Sequence, residues 1–177
     1  MENTTSEKPT TRAVGIRYGI ILAAISIIYF LITAMMQINT NEGAARWISL
    51  VFAIVVFYLA HKYYKDNGDS FMSYGQGIGI AFWISLIAST ASSIFTYIYI
   101  KFIDPEWVNI ILDAQLEGMQ EKGMSDEEIE MAMSMTEKFM TPEMILIFGI
   151  VIGISMGLIV ALIVTIFTQK KNPEPGF

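Results

Sequence analysis

Three glycines fall within five residues at Gly75, Gly77 and Gly79, with Ser73, Tyr74 and Gln76 beside them. Glycine-rich loops cradle phosphate where their backbone amides converge on a helix N-terminus. The spacing argues against that chemistry here. A dinucleotide fingerprint needs G-x-G-x-x-G, and Ile80 occupies the position of its third glycine. No Lys-Ser or Lys-Thr pair follows, so a nucleotide-triphosphate loop fails as well. The reading that remains is the start of a closely packed helix.

Other reactive side chains are sparse. His61 is the sole histidine, and there is no cysteine. One chain therefore offers no His cluster for a metal, no Ser-His-Asp or Cys-His set, no disulfide and no thiolate zinc site. Met131, Met133 and Met135 carry thioethers, which suit Cu(I). On a helix, however, Met131 and Met135 share a face and Met133 points elsewhere, which is the pattern of apolar gap-filling. Asp126, Glu127 and Glu128 could gather Ca2+, but they lack EF-hand spacing and sit where a helix N-terminus attracts acids anyway. These residues predict no cofactor, no metal and no enzyme.

The elements that carry them are set by solvent. Of 177 residues, 54% are hydrophobic and 16% charged, against about 25% charged in a soluble domain. No Asp, Glu, Lys, Arg or His occurs from Phe71 to Ile100 or from Met144 to Gln169. Each run exceeds the roughly 20 residues that cross hydrocarbon. The sequence predicts an all-α integral membrane four-helix bundle, with spans at about 14–36, 44–64, 74–100 and 143–168. The second span has an uninterrupted apolar core of only Trp47–Ala60, about 21 Å of helix. It crosses if Arg46, His61 and Lys62 snorkel to the interfaces. Residues 13–169 form one membrane domain, flanked by polar tails at 1–12 and 170–177.

Four crossings put both termini on one side. That side carries Lys8, Arg12, Arg17, Lys62, Lys65, Lys170 and Lys171. The opposite side carries Arg46, Lys101, Lys122 and Lys138. The positive-inside rule predicts cytoplasmic termini. The acids then gather in the 101–142 connection, which is not the charge pattern of a nucleic-acid binder. This connection reads as an extracytoplasmic helical hairpin between spans three and four. Asp104-Pro105-Glu106 and Thr141-Pro142-Glu143 resemble helix starts, Ser125 to Glu128 reads as a capping box, and Gly123 marks a helix end. Trp107, Ile110, Ile111 and Ala114 make one apolar stripe, to rest on the membrane surface or on the bundle.

Small residues recur at every fourth position in three spans. They are Gly15 and Gly19 in the first, Gly75 and Gly79 in the third, and Gly149, Gly153 and Gly157 in the fourth. Such stripes let backbones approach closely in lipid, where apolar side chains alone have no reason to prefer protein. The expectation is a helix-packing seam at these seven glycines, within one chain or between chains. Arg17, near the end of the first span, is read as an interfacial anchor.

The segments Val14-Gly15-Ile16-Arg17-Tyr18-Gly19, Phe71-Met72-Ser73-Tyr74-Gly75-Gln76 and Ile103-Asp104-Pro105-Glu106 resemble a small four-span bacterial membrane family catalogued as domain of unknown function 4199. The resemblance runs from about Thr11 to Thr168. Gly77 departs from it, standing where a residue such as alanine is expected. The family implies a multi-pass protein of the bacterial inner membrane and brings no activity or catalytic residue with it. The leading expectation is a non-enzymatic structural or partner-binding subunit. Its partner would be a second copy or another membrane protein, and Trp107, Asp126, Glu127 and Glu128 form the candidate partner surface. The alternative is a small transporter or channel for a neutral or lipidic solute, with Ser85 and Ser89 of the third span lining the path.

Overall fold

Several helix starts in this chain are written by residues that accept from otherwise unpartnered backbone amides. The computed structural model describes residues 8–36, 38 and 45–172. Thr10 accepts from the Ala13 amide and opens α1, Thr11–Met35. Ser73 and Gln76 close a reciprocal capping box that opens α3, Tyr74–Ile98. The glycine-rich stretch is therefore the first two turns of a helix. Thr141, with Pro142 behind it, opens α6, Pro142–Thr168. The remaining span is α2, Ala45–Asp66. Between α3 and α6 lie α4, Trp107–Glu121, and α5, Asp126–Phe139. Of the expected tails, 1–7 and 173–177 lie outside the described residues. The first helix begins before the expected 14, because Thr10 supplies the cap.

α3 is the central helix. It packs along α1 on one side and along α6 on the other, while α2 lies chiefly against α1 and α6. α1 and α3 run parallel: Gly15 backs onto Trp83, and Gly19 onto Ile87 one turn further along both helices. α3 and α6 run antiparallel: Gly77 faces Thr165, Ser85 faces Gly157, Ser89 faces Gly153 and Ser93 faces Gly149. Each step of four along α3 meets a step of four back along α6. All these approaches lie within one chain. A Cβ at Gly77 would stand 2.5 Å from the Thr165 methyl, so even alanine would force Thr165 or its helix to shift there. The core at this level holds Val14, Phe57, Ile80, Ala81, Ile84 and Ala161.

Two seam positions differ from expectation. A side chain at Gly75 would meet nothing within 4 Å, and one at Gly79 would make only ordinary contact with Thr11 at 3.9 Å. Two positions along a helix turn the side chain by about 200°, so Gly75 and Gly79 point away from the side on which Gly77 meets Thr165 of α6.

α6 is apolar nearly all round, and only 11% of its most apolar window is buried. Ile147, Val151, Ile152, Ile163 and Phe167 are exposed along it. Water would not tolerate a face of that size; hydrocarbon does. Among the described residues four helices are long and apolar enough to cross a membrane, and this is a multi-pass membrane protein. One end of the bundle gathers the start of α1, the α2–α3 connection and the end of α6. There Lys8 pairs with Asp69 at 3.3 Å, and Met72 and Lys170 exchange backbone hydrogen bonds of 2.9 Å.

At the other end α3 runs on through a wide turn, Tyr99–Ile103. That turn takes up Asp104, whose amide donates to Tyr99 O at 2.9 Å. Asp104 thus ends α3 instead of capping α4, which starts at Trp107 with no side-chain cap. Ser125 and Glu128 do form a capping box on α5. Gly123 turns the hairpin at φ 70°, a conformation open chiefly to glycine. Neither hairpin helix has a buried residue.

Candidate solute cavity between the spans

The serines of α3 that face α6 are small, and so are the α6 glycines opposite them. Small against small lets the backbones close up along the seam, but it leaves space beside it. That space is a cavity of about 630 Å³ bounded by all four spans. Six serines line it: Ser26, Ser49, Ser85, Ser89, Ser92 and Ser93. Leu22, Phe57, Ala88 and Val160 supply apolar wall, and among the described residues no charged side chain lines it.

The hydroxyls differ in how they are satisfied. Ser89 Oγ donates to Ser85 O at 2.6 Å, bonding back to its own helix. Ser85 Oγ and Ser92 Oγ are buried with no hydrogen-bond partner among the described residues. Ser85 is only 4% exposed. A buried hydroxyl left unpaired costs on the order of 1–3 kcal/mol. The cavity is therefore polar at named points and apolar elsewhere, the usual make-up of a small-molecule site.

Its floor toward the end holding the chain termini is closed. Phe57 is 1% exposed, and below it lies His61. The snorkelling expected of His61 does not occur: the ring is fully buried. Its Nε2 lies 3.0 Å from Gly77 O, and its Nδ1 lies 2.8 Å from Thr168 Oγ1. A carbonyl only accepts, so Nε2 carries the ring proton. Two polar partners from α3 and α6 outcompete a route to the headgroups. Lys65 Nζ donates to Thr168 O at 2.8 Å and ties α2 to α6 at the same level.

The sides are unequal. α1 and α2 are joined along their length. Tyr29 Oη donates to Ala45 O at 2.7 Å, Tyr29 and Phe52 meet edge-on at 6.1 Å, and Tyr18 meets Tyr63 at 5.9 Å. Arg17 lies over the Tyr63 ring at 4.6 Å, an anchor of the α1–α2 contact. The exposed lining residues are Trp47 and Ser49 of α2 and Met156 of α6. The mouth thus lies between α2 and α6.

The candidate partner surface divides. Trp107 packs on Phe30 at 5.5 Å, and Phe30 also meets Phe95 and Tyr99. Trp107 is therefore turned to the bundle, holding the hairpin there. Asp126, Glu127 and Glu128 are exposed. Ser49 escaped the sequence reading because one serine in a short, ambiguous span carries no periodic signal.

Residues 17–170 match the model of a family described as a protein of unknown function (DUF4199). No curated protein and no solved structure matches the chain.

Proposed function

The chain belongs to the DUF4199 family, and we propose that it is a non-enzymatic multi-pass membrane protein that takes an uncharged solute into its interior, as a small transporter or channel. One observation carries this: a serine-lined cavity among the spans, closed at one end by Phe57 and His61. An uncharged lining suits an uncharged solute, because nothing in it would offset the desolvation of an ion. The basic residues near the span ends support cytoplasmic termini, and the family resemblance implies a bacterial inner membrane.

The partner-binding reading has its own support in the hairpin. Its two helices bury no residue, and Asp126 and Glu127 stand free of the bundle. The glycine seams no longer argue for a second copy, since their partners lie in the same chain.

Flux in proteoliposomes discriminates the two. Neutral solutes from small polyols to short-chain lipids are expected to cross faster than in protein-free vesicles. Ser49→Trp at the mouth and Ser85→Leu in the wall should abolish the difference. If no solute crosses faster and crosslinking in the native membrane catches one defined neighbour, the partner-binding reading replaces this one.

A further inference from the structure

We propose that the cavity is a binding site for an uncharged lipid, which enters sideways between α2 and α6 and hydrogen-bonds through its head to Ser85 and Ser92. This rests on the solute reading in sharing the cavity, but it requires no transport.

Entry from the lipid follows from what surrounds the mouth. Beside Ser49 and Met156, the exposed residues are Ile48 and Val51 on α2 and Ile152 and Ile159 on α6. These are hydrocarbon-facing positions. A solute from water would have to cross them, whereas a lipid already lies against them. The cavity also extends along the bundle. Its lining on α6 runs from Gly149 to Val160, about 16 Å of helix rise, along the bundle axis and hence along the acyl chains. That is roughly half the hydrocarbon thickness, on the side away from the buried His61.

The head is specified by the hydroxyls. Ser85 Oγ and Ser92 Oγ are buried and unpartnered, and both residues line the cavity. They stand seven residues apart on α3, about 10 Å along the axis. A head with uncharged oxygens spread along it, such as the hydroxyl and esters of a diacylglycerol, can reach both. A phosphate or an ammonium would enter a lining with no counter-charge. The apolar stretch of Leu22, Leu50, Ala53 and Ala88 takes the adjoining methylenes.

The test uses the full chain in liposomes with a diazirine-bearing diacylglycerol, with adducts mapped by peptide mass spectrometry. Labelling is expected on buried cavity residues such as Leu22 and Ala88. Unlabelled diacylglycerol should compete, while phosphatidylglycerol and free glycerol should not. Ser85→Ala with Ser92→Ala should weaken binding by about tenfold. Ser155→Ala is the control, because Ser155 is exposed and its hydroxyl donates to Val151 O at 2.8 Å. If the double variant fails to fold, Ser49→Trp should cut cavity labelling without touching the α3–α6 seam. Adducts confined to lipid-facing residues such as Ile163, or labelling that nothing displaces, would overturn the proposal. Flux of a water-soluble polyol without cavity labelling would also overturn it and leave the solute reading standing. Labelling without flux would uphold the lipid site and remove transport.

Discussion

Gly15 and Gly79 look alike in the sequence and differ in what a methyl group would meet. At Gly15 an added Cβ falls on the Trp83 Cβ and 3.0 Å from the Ile80 carbonyl oxygen. Part of that obstacle is backbone, so no rotamer change relieves it. At Gly79 the nearest neighbour is Thr11 at 3.9 Å. We expect Gly15→Ala to lower stability by roughly 1–3 kcal/mol. Gly79→Ala should be neutral or gain up to about 1 kcal/mol from helix propensity. Thermal unfolding of the detergent-solubilised variants checks both, and a Gly79 variant as damaging as the Gly15 one would contradict the seam described. Periodicity could not separate these positions. It shows that small residues share a face, and the neighbour that face meets is set by how the helices dock.

At the scale of the element, the hairpin is held by local chemistry. Ser125 N–H and Oγ both donate to the Glu128 carboxylate at 2.9 Å. The Glu128 amide returns to Ser125 Oγ at 3.4 Å. These bonds, the backbone one first, hold the Glu128 carboxyl below its ordinary value of 4.5. The folded helix thus favours the ionised form. Its contribution is complete above pH 4.5 and is lost as the pH falls through the depressed value. Hydrogen exchange of the first α5 turn should therefore be slow at neutral pH and rise in acid. Ser125→Ala should raise it at every pH, by the equivalent of about 1 kcal/mol. Unchanged exchange in that variant would mean that tertiary contacts, not the cap, order the helix. The box was legible because its donors and acceptors lie three residues apart. Asp104 was misread because the wide turn Tyr99–Ile103 depends on how α3 ends against its neighbours.

The whole molecule is organised by a solvent it cannot hydrogen-bond to. In hydrocarbon each backbone amide must be satisfied within its own helix, and contact between helices has to come from shape. That accounts for a central α3 with stripes of small residues on its neighbours, and for an α6 that is mostly exposed. It also yields a topology with a direct test, since the chain contains no cysteine. Gln120→Cys, on the hairpin, should react with an impermeant maleimide on intact cells. Asp66→Cys, at the end shared with both termini, should not. The reverse pattern would invert the orientation.

Four spans, their helical character and the hairpin can all be derived from residue order alone. Each depends on local spacing or on the cost of placing charge in hydrocarbon, and both are properties of a segment by itself. The cavity, its lateral mouth, the burial of His61 and the choice of Gly77 over Gly75 and Gly79 came only with the tertiary structure. They depend on which faces of separate helices meet, and in lipid that is decided by backbone approach over the whole bundle, a quantity no single segment contains.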